Sequence, residues 1–358
     1  MKALLYTGPH TFEYTDVPDP GCGPDDVLIR VKAVGICGSD VHGATGRTGR
    51  RLPPLIMGHE AAGVIERVGA NVTWLRAGRR VCFDSTVYCN RCEACLARRF
   101  NRCDKRQVLG VSTPQFKRHG AMAERVAVPS WIVFPIPDEM SFVKAALLEP
   151  VAIGIHAANR GNVPEGGTVL VIGAGTIGLC VLAAVRLKGA GRVIVADIDE
   201  FRLEMARRLG ADVTVNARTG ILCTGGTPLT REAPLTLAGA VRDITDGRGV
   251  QAAFEVVGLP ETFAAAVAAT RTGGTIVAVG NIQPRAEFDL QQFIASELTV
   301  TGSYASSGEF EQCIDLVASG RIDVESLVSE VRPLREGAEA FERLLAGKEK
   351  LLKVVLEP

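Results

Sequence analysis

The stretch Val169-Leu-Val-Ile-Gly173-Ala-Gly175-Thr-Ile-Gly178-Leu, followed by Arg192-Val-Ile-Val-Ala-Asp197, leaves few folds open. Four apolar residues run into three spaced glycines and then into an Ala/Leu/Val-rich segment, the pattern of a buried parallel strand, a tight turn and a helix. Asp197 stands 19 positions beyond the last glycine, at the end of a second strand. That context completes a dinucleotide-binding fingerprint. The glycines let the backbone approach a pyrophosphate at a helix N-terminus, and Asp197 can accept from a ribose 2′-OH while repelling a 2′-phosphate. NAD is therefore expected over NADP, with Arg202 near enough in sequence to relax that preference by turning toward a 2′-phosphate. The run Thr168 to Leu187 approaches the length of a membrane span, but its three glycines divide it into strand, turn and helix.

The rest of the chain arranges itself around this motif. Before Pro150, short strands at Met1–Tyr6, Phe12–Asp16, Asp26–Ala33, Ala62–Val68 and Arg80–Phe83 are separated by Pro/Gly turns, so this half reads as mostly β. Val27-Leu-Ile-Arg-Val-Lys-Ala reads as alternating between faces. After Pro150, apolar strands alternate with Ala/Leu/Arg-rich helices, the signature of a parallel sheet. A chain of 358 residues also exceeds what one core normally supports. The expected division is 1–150, a mostly β domain with a cysteine lobe at about 85–106; 151–292, a doubly wound α/β cofactor domain; and 293–358, completing the second sheet and returning to the first domain. Phe254–Gly258 and Gly274–Gly280 read as later strands ending in glycine, with a helix at Ala264–Thr270 between them. Leu298-Thr-Val-Thr-Gly reads as a β-rich stretch, Glu309–Ser319 as a helix, and Leu351–Leu356 as the returning strand. Turn residues dominate Arg218 to Pro234, which is expected to be an exposed loop with no catalytic role.

Lys+Arg and Asp+Glu balance at 40 each, so no global field recruits nucleic acid or an anionic membrane. The expected partner is a small molecule. The N-terminus lacks the apolar segment of a secretory signal, and a cytoplasmic location is expected. Ten cysteines in such a compartment are not expected to form disulfides. Cys22, Cys82, Cys180, Cys223 and Cys313 stand singly and read as small buried hydrophobes.

Gly35-Ile-Cys37-Gly-Ser39-Asp40-Val-His42, Gly58-His59-Glu60 and Glu149 bring together a thiol, imidazoles, carboxylates and a hydroxyl. Catalytic zinc takes three protein ligands and leaves a position open for a substrate oxygen; Cys37, His59 and one of Glu60 or Glu149 meet that requirement. Asp40 is placed to accept the second N–H of His59 and fix its tautomer. Ser39 and His42 suggest a path for a proton from a bound alcohol to solvent. Cys89-x2-Cys92-x2-Cys95-x7-Cys103 suits a closed site of four thiolates, which would be structural. Its neighbours Arg91, Glu93, Arg98, Arg99, Asn101 and Arg102 offer little to bury, so the metal is expected to stand in for a core.

In this order, Gly-Ile-Cys37-Gly-Ser-Asp-Val-His42, Gly58-His-Glu-Ala-Ala-Gly63, the four-cysteine lobe, Leu148-Glu149-Pro150 and the glycine motif resemble the zinc-dependent medium-chain dehydrogenase/reductase family. The resemblance is to its polyol and L-threonine dehydrogenase branch and spans nearly the whole chain. It implies a GroES-like catalytic domain, an inserted Rossmann domain, an active site in the cleft between them, and oligomers, here a homodimer or homotetramer. It implies two zinc ions per chain, one catalytic at Cys37, His59 and Glu60, with Glu149 a ligand or a water-linked neighbour, and one structural. Ser39 and His42 match the proton relay. Gly173, Gly175, Ile177, Gly178, Asp197, Arg202, Val279, Gly280, Asn281, Ser303 and Tyr304 match positions lining the cofactor. The implied activity is reversible NAD-linked oxidation of a secondary alcohol, foremost a polyol, to the ketone. L-threonine 3-dehydrogenase is the alternative substrate class, and a zinc-stabilised NAD-binding sensor without turnover the alternative of another kind. Ser303 stands where the polyol branch often carries an Arg before the Tyr, so Phe116, Lys117 or His119 are expected to take part in recognising the polyol chain.

Overall fold

The computed structural model describes residues 1–229 and 236–358. The chain divides into two compact units, Met1–Ala152 with Ala305–Pro358, and Ile153–Tyr304.

The first unit is built on a seven-stranded sheet. Its order is Val133–Pro135, Arg80–Phe83, Glu60–Val68, Asp26–Gly35, Lys353–Glu357 and Val328–Pro333, with Arg125–Pro129 also pairing with Asp26–Gly35. The central strand Asp26–Gly35 departs from simple alternation: Val27, Leu28, Ile29, Val31, Ala33 and Val34 are all buried, and only Arg30 is fully outward. Both of its faces are covered, as the apolar run demands. Two register shifts against Glu60–Val68 end with Gly35 opposite Glu60, which carries the strand end into the candidate site. Lys353–Glu357 then lies antiparallel beside Val34 and Gly35, so the chain terminus closes over the same point. A smaller sheet of Thr11–Asp16, Lys2–Gly8 and Leu55–Ile56 packs apolar residues into the same core, which holds Leu4, Tyr6, Ile29, Ile65, Phe83 and Phe341. Each such side chain contributes roughly 1.5–3 kcal/mol by leaving water.

The second unit carries an eight-stranded sheet in the order Thr227–Leu229, Leu222–Thr224, Val213–Asn216, Arg192–Asp197, Thr168–Ile172, Val250–Glu255, Thr270–Ala278 and Thr299–Gly302. The strands from Val213–Asn216 to Thr299–Gly302 run parallel. The chain builds outward from Thr168–Ile172 in one direction and then returns to build in the other, so the switch point lies at the carboxyl end of that strand. Residues Thr168–Ile172 and Thr176–Leu187 form the strand and helix that the glycine motif demands.

One expectation is corrected here. Of the segment 218–234, residues 222–224 and 227–229 are not loop: they form a hairpin that extends the sheet antiparallel to Val213–Asn216. Leu222 and Cys223 are buried. Gly225 and Gly226 both take positive φ (54° and 82°), the geometry of a type I′ turn between two strands. Turn residues were thus marking a hairpin rather than an open loop. Residues 230–235 lie outside the described residues. Among the described residues no helix is long and apolar enough to cross a membrane.

Candidate metal centres and dinucleotide crevice

Cys37 is the N-cap of the short helix Gly38–Ala44, with extended backbone (φ −79°, ψ 148°), and its Sγ accepts from the Ser39 amide. The Ser39 hydroxyl also donates to Cys37 Sγ, at 3.3 Å. His59 and Glu60 arrive at the start of Glu60–Val68, where the preceding Gly58 takes φ +91°. The chain can bend there only because glycine carries no Cβ. One donor atom each from Cys37, His59 and Glu60 lies within 4.8 Å of the others. Glu149, in the first turn of the helix Leu148–Arg160, is buried beside this set and accepts a hydrogen bond from Ser85. Burial pushes its carboxyl up, and the charge of Glu60 adds to the rise.

The polar atoms around this trio fit a metal. His59 Nδ1 and Asp40 Oδ2 face each other at 3.6 Å, and both are buried with no hydrogen-bond partner. A cation on Nε2 would fix the proton on Nδ1 and aim it at Asp40. Burial depresses the His59 imidazole, but the negative charges of Asp40, Cys37 and Glu149 outweigh it and hold the ring at about 10. The donor set is calling for positive charge. Asp40 is itself held at Oδ1 by Arg51, whose Nη2 lies 2.7 Å away, and Arg51 also donates to Ser39 Oγ at 3.4 Å. Arg51 is buried, and nothing in the sequence around it announced this role.

Ser39 and His42 lie three residues apart on one helix and both are exposed. Hydrogen bonds of the Ser39 side chain run to Cys37 and Arg51, and none joins Ser39 to the His42 ring. His119 Nδ1 accepts from the Ile56 amide at 3.1 Å, so that ring nitrogen is committed to the backbone. Lys117 pairs through its backbone with Ser112, and Phe116 donates its amide to Thr113 Oγ1.

The four cysteines of the lobe also converge, with donor atoms within 4.8 Å of one another. Cys92 and Cys95 Sγ lie 3.5 Å apart, and Cys103 Sγ accepts from the Cys89 amide. None of the ten cysteines is paired in a disulfide. The Arg91 amide and further hydrogen-bond donors draw Cys89 down to about 6, whereas burial pushes Cys95 up to about 12. The lobe, expected to lack a core of its own, packs instead onto the core of the first unit. Cys95, Cys103 and Tyr88 belong to the main apolar cluster, and Tyr88 stacks on Phe100 at 4.2 Å. The packing comes from these residues rather than from the charged neighbours, which is why a count of residue types missed it. Ser307 clasps the lobe from the C-terminal segment, accepting from the Phe100 amide and donating to Arg98 O.

In the second unit, the candidate cofactor residues gather at the carboxyl ends of the parallel strands. A Cβ on Gly178 would stand 1.8 Å from Gly173 O, so that glycine serves helix–strand packing. Gly175, the helix N-cap, has open space before it. Asp197 Oδ2 accepts from the Ala174 amide of the glycine turn, and Oδ1 from the Ile198 and Asp199 amides. Its carboxylate is thereby fixed beside the turn. Arg202 lies 4.0 Å from Asp199, half exposed. Ile177 is partly buried in the helix after the turn. Val279 and Gly280 donate to Glu255 O, and the Ser303 amide to Ala278 O. The Ser303 hydroxyl is buried without a partner, and Tyr304 is exposed. Gly258 and Gly280 approach so closely that a Cβ on either would fall 2.2 Å from the other segment's backbone. Glu255, which sequence reasoning did not single out, ties this corner together by accepting from the Val257 and Gly258 amides and the Thr262 hydroxyl.

Residues 23–138 match the alcohol dehydrogenase GroES-like domain, and residues 176–319 match the zinc-binding dehydrogenase family. The chain is 37% identical to sorbitol dehydrogenase of Bacillus subtilis (strain 168), over 100% of this chain and 97% of that protein. It is 37% identical to L-idonate 5-dehydrogenase of Vitis vinifera, over 92% of this chain and 87% of that protein. Among solved structures, the alcohol dehydrogenase TADH from Thermus sp. ATN1 superposes with a TM-score of 0.89 at 30% identity, covering 100% of this chain and 99% of that one. The doubly wound parallel sheet, the mostly β unit and these matches agree: the chain belongs to the zinc-binding dehydrogenases with a GroES-like domain, and within them it is a zinc-dependent dehydrogenase of the polyol branch.

Proposed function

We propose that Cys37, His59 and Glu60 hold the catalytic zinc of this polyol dehydrogenase, with Glu149 as the neighbouring carboxylate, and that Cys89, Cys92, Cys95 and Cys103 hold a structural zinc. The carrying observation is the trio's convergence within 4.8 Å together with the orphaned His59–Asp40 pair behind it. When bound, zinc supplies Lewis acidity toward a substrate hydroxyl and NAD supplies the hydride acceptor. The chain's own residues do the rest. Cys37, His59 and Glu60 leave one position open for that hydroxyl. Ser39, exposed beside Cys37, takes up the hydroxyl proton, and His42 one turn on releases it to solvent. Because no hydrogen bond joins the two side chains, the proton crosses through a hydroxyl or water that enters between them. Gly173 and Gly175 let the backbone approach the pyrophosphate, Gly178 keeps the helix packed on its strand, and the carboxylate of Asp197 selects NAD by accepting from a ribose hydroxyl. Ile177, Val279, Gly280, Asn281, Ser303 and Tyr304 line the same crevice, and Arg202, turned to Asp199, leaves the NAD preference in place.

The substrate is a secondary alcohol of a polyol. A homodimer is supported by the open edge strand Thr299–Gly302 and the exposed Leu290, Ile294 and Val300 near it in sequence. The test combines metal analysis with a substrate panel of polyols, L-threonine and simple alcohols, followed by NADH absorbance. Two zinc ions per wild-type chain and one in Cys37→Ser, with turnover abolished and NAD binding kept, is the expected outcome. Near-normal turnover in Cys37→Ser would refute the assignment.

A further inference from the structure

Lys353 is buried, 2% exposed, on the strand Lys353–Glu357 that closes the chain. Its Nζ donates to both carboxylate oxygens of Glu60, at 2.8 and 2.7 Å, and to Ile36 O at 3.0 Å. All three ammonium protons are thereby used. Glu60 is fully buried, and its carboxylate lies flat against the chain: a Cβ on Gly35 would fall 2.2 Å from Glu60 Oε2. The ammonium is equally fixed, because Ile36 N donates to Val354 O and Val355 pairs with Gly35. The same carboxylate also offers a donor atom to the Cys37–His59 trio. One buried anion therefore faces two cation sites, one built into the fold and one for the metal.

We propose that Lys353 is a positioning residue that competes with the metal for Glu60, keeping it a weak and exchangeable third donor so that the open position is yielded to substrate oxygen. The proposal rests on reading Cys37, His59 and Glu60 as the catalytic metal site. A carboxylate sharing both oxygens with an ammonium in a dry environment donates less charge to a metal than a free one does. Neutralising Lys353 should release Glu60 to bind the metal more tightly and to give way less readily. The sign is opposite to that of an ordinary supporting partner, whose loss weakens metal binding.

The probe is cobalt(II) exchanged into the full-length protein, read as the absorption present in a given variant and absent in the same variant carrying Cys37→Ser. Lys353→Met is expected to raise cobalt affinity by roughly tenfold in chelator competition, the scale on which neighbours of metal ligands act. It should also shift the cobalt d–d bands, and lower kcat more than it changes KM. The double variant Glu60→Gln with Lys353→Met removes the ammonium together with its counter-anion and should leave cobalt affinity little altered; a loss of roughly a hundredfold in that double variant would mark Glu60 as a strong ligand and overturn the proposal. Lys353→Met that folds, by tryptophan fluorescence, yet keeps wild-type cobalt affinity and bands would also overturn it. Absence of any Cys37-dependent cobalt signal in the wild type would instead sink the metal-site reading itself.

Discussion

Asp84 takes no part in the chemistry proposed above, yet its position carries a measurable cost. It is 2% exposed, with Oδ1 accepting from the Thr86 amide at 2.8 Å and Oδ2 from the Ser306 hydroxyl at 3.2 Å. Burial pushes its carboxyl up from 3.8 to about 7, and the charges of Glu149 and Glu309 add to the rise against the two hydrogen bonds. Between those two pH values the folded chain keeps a proton that the unfolded chain gives up. The folded pKa is the higher one, so the contribution to stability is present in full below pH 3.8 and is lost as pH climbs to 7. At 1.36 kcal/mol per unit the whole loss is roughly 4 kcal/mol, of which roughly 3 kcal/mol falls above pH 5. Asp84→Asn removes the titration, while the amide oxygen can keep the Thr86 bond and the amide nitrogen can donate to Ser306. The two tryptophans, Trp74 and Trp131, both lie in the first unit, so guanidinium unfolding followed by their fluorescence reports that unit alone. In zinc-replete buffer, the Asp84→Asn variant should gain on the wild type by roughly 3 kcal/mol between pH 5 and pH 8. A gap between the two proteins that stays constant over that range, or that favours the wild type at pH 8, would refute the reasoning.

Two further expectations follow from the sites. Cys95→Ser should lose the structural zinc and lower the melting temperature of the first unit by roughly 5–10 °C, the effect of a few kcal/mol in a domain of this size. Trp131 fluorescence should report it first, because its indole donates to Tyr88 O and Tyr88 stacks on Phe100 inside the lobe; an unchanged melt would show that apolar packing alone holds the lobe. Asp197→Asn keeps the side-chain shape and the bonds from Ile198 and Asp199 but removes the charge that repels a 2′-phosphate. Steady-state kinetics with both cofactors should show the NAD over NADP ratio of kcat/KM falling by roughly tenfold, and a ratio unmoved by the substitution would count against Asp197 as the selector.

What could be read from the sequence was chemistry carried by local spacing. Strand, glycine turn, helix and Asp197 fall within one βαβ unit, so their mutual geometry is set by the backbone between them. Cys89 to Cys103 likewise close a local loop, and Cys37 to His42 share one helical turn and its cap. The hairpin at 222–229 escaped notice because its two strands are three residues each, too short for periodicity to register, and only Gly225-Gly226 hinted at the turn. The packing of the lobe escaped because it depends on Tyr88 and on Ser307, and the latter is 207 positions from the Phe100 amide it holds.

The residues that remained illegible share a character: they are partners brought in from elsewhere in the chain. Lys353 reaches Glu60 across 293 positions, Arg51 reaches Asp40 across 11, and Ser306 reaches Asp84 across 222. No spacing rule links such pairs: Lys353 meets Glu60 only when Lys353–Glu357 is laid beside Asp26–Gly35, Ser306 meets Asp84 only when the C-terminal segment folds back, and Arg51 meets Asp40 through the irregular segment between them. Yet these partners decide what the legible residues can do. With both Glu60 oxygens taken by Lys353 and Asp40 Oδ1 by Arg51, the groups left to attract a cation are Cys37, the His59–Asp40 Oδ2 pair and the buried Glu149. On the proposed assignment, zinc would be held by two firm donors and two reluctant carboxylates, an arrangement that suits an alcohol-oxidising centre.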